Sequence, residues 1–183
     1  MSIGGAIDAV LGFWFEETEP CQWWQRDAAF DAEVRKRFGE LHARAVRGEL
    51  FGWRSTAAGR LAEIIVLDQF SRNLYRDRPE AFAADDMALT LAQEAVALGV
   101  DRDLEPVQRA FLCLPYMHSE LPRIHEEAVR LFSQPGMELS LDFELKHKAI
   151  IDRFGRYPHR NEALGRDSTP EELAFLKEPG SSF

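Results

Sequence analysis

The stretch AAGRLAEIIVLDQFSRNLY, residues 57–75, decides how this chain folds. Turning 100° per residue as a helix, it cannot confine its apolar side chains to a single stripe. Leu61, Ile64, Ile65 and Tyr75 fall on one face, while Val66, Leu67, Phe70 and Leu74 cover much of the other. A helix that is apolar on more than one side predicts a central, buried position with other helices packed around it.

The flanking sequence supplies those helices, because the hydrophobic spacing of three and four recurs along the chain and the alternation of a sheet does not. Val10, Leu11, Trp14 and Phe15 mark a short first helix, closed by Pro20. A second spans Asp27 to Arg47, with Phe30, Val34, Phe38, Leu41 and Ala45 inward and Gly48 as its stop. Gly39 inside it costs about 1 kcal/mol relative to Ala for no reason the pattern reveals. After the central helix come segments at Asp86 to Leu98, Pro106 to His118, Pro122 to Phe132 and Leu141 to Phe154. Gly99 ends the first of these, and Pro106 and Pro122 suit first-turn positions where no amide donor is needed. Thr169-Pro170-Glu171-Glu172 opens a last helix as a capping box. The expected fold is all-α, a single compact domain over residues 1–183 of about eight antiparallel helices, with residues 178–183 frayed.

A chain of 183 residues can bury about 70% of the surface it exposes when unfolded, so its core needs no disulfide or metal staple. Its net charge of -9 argues against nucleic-acid and anionic-membrane partners, since phosphate recognition requires a positive field. Cys21 and Cys113 are far apart, and Cys113 lies in an apolar run, which predicts a reduced, buried thiol. The start Met1 to Asp8 lacks a basic leader region, and no run reaches the roughly 20 apolar residues of a membrane span. A cytoplasmic location is the expectation.

Three polar constellations interrupt the apolar pattern. The first is DQFSRNLYR, Asp68 to Arg76. Asp68 lies among Leu61, Ile64 and Ile65, where an unpaired charge would be very costly, so it needs a partner. Arg72, four residues on, is the obvious one, and Arg76 continues the stripe. Gln69 and Asn73 either tie neighbouring helices together or help line an arginine-rich site. The second is LPYMHSE, where Pro115 kinks or ends its helix and His118 falls on the apolar face beside Ser119 and Glu120. The third runs from Lys146 to Arg166, with six basic against two acidic residues, a local +4 against -13 for the rest. Within it Gly155 and Pro158 constrain a turn from which Arg153, Arg156, His159, Arg160 and Asn161 fan out. Planar guanidinium groups suit bidentate recognition of carboxylate or phosphate, though they can also neutralise the acidic remainder.

Glu144-Leu145-Lys146-His147 has the Glu-x-x-His spacing of di-iron bundles but lacks a second copy. His147 shares a face with Phe143, Ile150 and Phe154, which predicts a core histidine; no metal or other cofactor is expected. No zinc-type Cys/His cluster, nucleophile elbow, phosphate loop or dinucleotide fingerprint occurs. Trp23-Trp24, flanked by no basic residue except Arg26, reads as core or groove lining.

Taken together, Val10-Leu11-Gly12-Phe13-Trp14-Phe15, Trp23-Trp24, DQFSRN, LPYMHSE, RFGRYPHRNEALGR and STPEE make the chain resemble a bacterial family known as domain of unknown function 924. The resemblance covers nearly the whole chain and implies a tetratricopeptide-like helical architecture without implying an activity. The chain departs from the family's expected acidic start and Gln at Leu121-Pro122-Arg123-Ile124-His125-Glu126-Glu127.

Three functions follow from the residues. In the first, the central helix, the Pro115 segment and the C-terminal turn form a pocket for an anionic small molecule or peptide carboxylate. Arg72, Arg76, Arg153, Arg156 and Arg160 would supply charge there, His118 and His159 directional bonds, and Asp68 and Glu120 orientation. In the second, His118 and Glu120 are an acid–base pair in the same pocket. In the third, Trp23, Trp24 and Trp53 line a groove for a protein partner.

Overall fold

In the computed structural model, which describes residues 3–182, each expected helix forms, and several of their ends are set by recognisable caps. The helices are α1 (Ile3–Gly12), α2 (Ala28–Val46), α3 (Ala57–Leu74), α4 (Asp85–Ala97), α5 (Pro106–Met117), α6 (Pro122–Phe132), α7 (Glu138–Phe154) and α8 (Pro170–Phe175). No strand occurs among the described residues. The Asp27 carboxylate accepts from the amides of Ala29 and Phe30 at 2.8 and 3.2 Å and starts α2. Thr169 and Glu172 form the reciprocal capping box of α8. Gly99 and Gly155 take left-handed backbone at φ 73° and 67°, ending α4 and α7 as their positions predict.

Two boundaries differ from the sequence reading by more than one residue. The first helix begins at Ile3 rather than Val10, and its aromatic part, Phe13–Glu17, continues as a single π-turn that inserts Phe13 and Trp14 into the core. The small residues Gly4, Gly5 and Ala6 hide this helix from a search for apolar spacing. α7 starts at Glu138, three residues before the first apolar position that marked it. Pro115 ends its helix rather than breaking it midway, since α5 stops at Met117 and His118 caps it.

Helices adjacent in sequence from α2 to α7 are adjacent in space, and α3 also packs on α1 and α5. Every residue from Leu61 to Ser71 is buried, as an apolar surface on more than one side requires. Around Phe70 the rings of Phe13, Trp14 and Phe38 lie at centroid distances of 6.2, 5.5 and 4.8 Å. A second, small apolar cluster of Ile150, Ile151 and Tyr157, flanked by Phe154 and Phe175, anchors the C-terminal segment. In the terminal stretch Ser181 is buried and its hydroxyl donates to the Leu176 carbonyl at 3.2 Å; Phe183 lies outside the described residues.

Candidate functional site

Asp68 projects from α3 toward the end of α5 and is fully buried. Its Oδ1 lies 2.7 Å from Nδ1 of His118, and its Oδ2 accepts from the Gln69 amide at 2.6 Å. The expected partner Arg72 is only a distant one, at 3.9 Å. Helix geometry explains the correction: four residues of separation leave both side chains on α3, whereas the end of α5 brings the imidazole directly onto the carboxylate. Burial works to raise the Asp68 carboxyl, but His118 and Arg72 reverse that and hold it below the ordinary range. The carboxylate therefore fixes the tautomer, with the His118 proton on Nδ1. Nε2 makes no hydrogen bond among the described residues.

Arg72 reaches the other way, into the N-terminus of α4. Its NH1 and NH2 bind the two Asp85 oxygens at 2.7 and 2.9 Å, NH1 also donates to the Ala81 carbonyl, and Phe82 stacks 4.7 Å from the guanidinium. Arg160, from the C-terminal turn, meets the same Asp85 oxygen at 3.3 Å. It is 6% exposed and lies between the rings of Phe82 and Tyr157, 4.7 and 4.6 Å away. That single long contact is the only hydrogen bond of its guanidinium among the described residues, and its buried Nε has no acceptor. Burial, and then the nearby Arg72 charge, push the Arg160 guanidinium down to about 10. His159 sits in the same neighbourhood: burial first, then the charges of Arg160, Arg72 and His118, lower its ring to about 4. It is uncharged at neutral pH.

The remaining candidate residues do not converge here. Glu120, expected beside His118, instead binds Arg166 through both oxygens at 2.6 and 3.0 Å and accepts from the Tyr157 amide at 2.8 Å. Burial opposes its ionisation, but these donors hold its carboxyl below the usual range. Asn161 closes the same turn, donating to Ser168 at 3.0 Å and accepting from Arg166 at 2.9 Å. Asn73 and Arg76 turn to Asp31 on α2, where Nδ2 of Asn73 and NH2 of Arg76 each lie 2.8 Å from Oδ1. Arg153 pairs with Glu171 at 2.9 Å, and Arg156 binds Glu172 at 2.7 and 2.8 Å; both brace α8. Trp53 is buried against α3, Trp23 is half-buried and Trp24 is exposed, so the three do not share a groove.

A second buried acid–imidazole pair lies nearby that spacing did not reveal. Nδ1 of His125 lies 2.7 Å from Glu144 Oε1, and its Nε2 donates to the Ser119 carbonyl at 2.8 Å, both side chains being wholly buried. Burial raises the Glu144 carboxyl. Glu144 therefore serves His125 across α6 and α7 rather than His147. His147 is the expected core histidine, donating from Nδ1 to the Phe143 carbonyl at 2.8 Å and lowered by burial to about 3. Asp85, Phe82 and Tyr157 were also missed, because no spacing along the chain links them to α3.

Among the described residues no group of three or more His, Cys, Asp or Glu is placed to hold a metal ion, and no helix is long and apolar enough to cross a membrane. Neither acidic pair above has a third ligand.

The assembled features, a buried central helix with DQFSRN and a polar seam closed by RYPHRNE, define a helical-bundle protein. Residues 10–180 match the model of a family described as bacterial protein of unknown function, DUF924, and the chain belongs to that family. It is also similar to the solved structure of ATU0120, a protein of unknown function from Agrobacterium tumefaciens, at 37% identity and a TM-score of 0.91. The match covers 96% of this chain and 99% of that one. No curated protein matches.

Proposed function

We propose that this protein binds a small anionic molecule or a peptide carboxylate at the niche bounded by Arg72, Arg160 and His118. The observation that carries the reading is the under-bonded state of Arg160. Among the candidate arginines, Arg72, Arg76, Arg153 and Arg156 each hold a carboxylate through a short contact, whereas Arg160 makes one contact at 3.3 Å. A buried guanidinium has five donors to satisfy, and leaving them unmet costs free energy. Its two faces are covered by Phe82 and Tyr157, so its edge is where a planar acceptor would bind. The partial exposure of Arg72 and His118 supports entry from solvent.

Thermal-shift titration with phosphorylated and carboxylated metabolites, glutarate among them, tests this. A ligand present at a hundred times its Kd stabilises by about 2.7 kcal/mol. Arg160→Met is expected to abolish the shift and Arg153→Ala to leave it intact. Silence across the panel, or shifts unchanged by Arg160→Met, would refute the reading.

A further inference from the structure

The contact between His118 and Asp68 goes beyond binding. The imidazole is held from behind by a buried carboxylate at 2.7 Å, which places the proton on Nδ1 and leaves the Nε2 lone pair without a hydrogen-bond partner. A ring so arranged accepts a proton at Nε2, and the carboxylate stabilises the imidazolium that results. Structural histidines elsewhere in the chain are arranged differently. His125 is engaged through both nitrogens, and His42 donates from Nε2 to the Ser71 hydroxyl at 2.7 Å deep in the core.

No side-chain hydroxyl or thiol among the described residues lies within hydrogen-bond reach of His118 Nε2. The Ser71 hydroxyl is buried and gives its own proton to the Leu67 carbonyl at 2.5 Å, and the Ser119 hydroxyl accepts from the Leu121 amide at 3.2 Å. Burial raises the Cys113 thiol to about 12, so it supplies no thiolate at neutral pH. A base without a neighbouring nucleophile acts on water. The under-bonded donors of Arg160 supply the positive charge that would hold a carboxylate carried by the substrate.

We propose that His118 is a general base for hydrolysis of a small ester bearing a carboxylate, with Asp68 as its positioning residue and Arg160 as the anion anchor. The proposal rests on the anion-binding reading above. In the step, Nε2 takes a proton from water as the water oxygen bonds to the ester carbonyl carbon. Collapse of the tetrahedral adduct breaks the bond to the leaving alcohol or phenol, and the imidazolium returns the proton to that oxygen or to solvent. The products are a carboxylic acid and an alcohol, with no change of oxidation state.

The full chain is assayed for release of 4-nitrophenol from 4-nitrophenyl acetate and from mono(4-nitrophenyl) glutarate, which carries a carboxylate. Hydrolysis of both is expected to exceed that by His118→Gln at least tenfold and to rise to a plateau with pH. Asp68→Asn lowers kcat at least tenfold and shifts the midpoint of that profile, whereas Arg153→Ala matches the wild type. The glutarate ester has the lower KM, an advantage lost in Arg160→Met. Equal hydrolysis by wild type and a folded His118→Gln, or a pH profile untouched by Asp68→Asn, overturns the proposal.

If His118→Gln does not fold, carbethoxylation of the wild type with diethyl pyrocarbonate decides. Modification of His118 in parallel with lost hydrolysis supports the proposal; modification with hydrolysis intact, or an unmodified His118, overturns it. A glutarate thermal shift without ester hydrolysis overturns catalysis alone. Silence across the whole panel of phosphorylated and carboxylated ligands overturns the binding reading beneath it.

Discussion

The half of the molecule around α3 and the half around the C-terminal turn are held together by different physics. Around α3 the contacts are largely apolar and aromatic, Phe13, Trp14, Phe38 and Phe70 forming one contiguous cluster of mostly edge-on and tilted rings. Around residues 153–172 the apolar cluster is small, and Arg156 with Glu172 and Arg166 with Glu120 bear the order instead. Apolar burial is non-directional and tolerates substitution of similar volume, whereas each polar partner is specific. The seam between the halves, at Asp68, Arg72, Asp85 and Arg160, has buried charge on both sides, and the binding proposed above is placed there.

This contrast predicts a graded series of effects. Phe70→Ala, in the apolar half, is expected to cost about 3–5 kcal/mol in urea unfolding, the range for a buried aromatic whose cavity only partly relaxes. Asp85→Asn, in the seam, removes the negative charge and one of the two acceptor oxygens that two guanidinium groups share, and is expected to cost about 2–3 kcal/mol. Added glutarate should restore more stability to Asp85→Asn than to wild type; equal restoration would separate the seam from anion binding. Acidification comes next. His147 and His159 have rings lowered to about 3 and 4, and burial lowers His42 as well, so below pH 6.5 the unfolded chain binds protons that the folded one does not. Stability therefore falls as pH drops from 6.5 toward 4, by up to about 1.4 kcal/mol per pH unit for each ring, as a pH series of denaturation midpoints would register. Asp68, held low, adds a further loss once its carboxylate takes a proton. At the small end, Gly39→Ala should stabilise α2 by about 0.5–1 kcal/mol, because a Cβ there meets open space. Arg153→Ala should cost no more than about 1 kcal/mol, less in high salt, since its pair with Glu171 is exposed.

The apolar half was legible in the sequence because its cause is periodic. Phe30, Val34 and Phe38 repeat every four residues, and α3 advertises its central place by being apolar on more than one side. The seam was legible only as a demand. Asp68 had to have a partner, and the chain offered Arg72 at the right helical spacing; the true partner, His118, is 50 residues away and brought in by the packing of α5 on α3. Asp85 gave no signal at all, since an acidic residue in the first turn of a helix is ordinary. The positive segment 146–166 was read correctly as charge, but sequence could not say that Arg153 and Arg156 face α8 while Arg160 turns inward. His125 and Glu144 were hidden for the same reason as Asp68 and His118, because their proximity exists only between helices.

Asp85 has one more implication. Because it already occupies part of the guanidinium edge, any guest at the niche must out-compete a tethered carboxylate of the protein's own. On the proposed reading, spherical, weakly accepting ions such as chloride would lose that exchange, whereas a planar or polyoxygenated group able to satisfy the unpaired Nε of Arg160 would win it. The niche would thus reject the salt of its surroundings and admit only guests whose oxygens are correctly spaced.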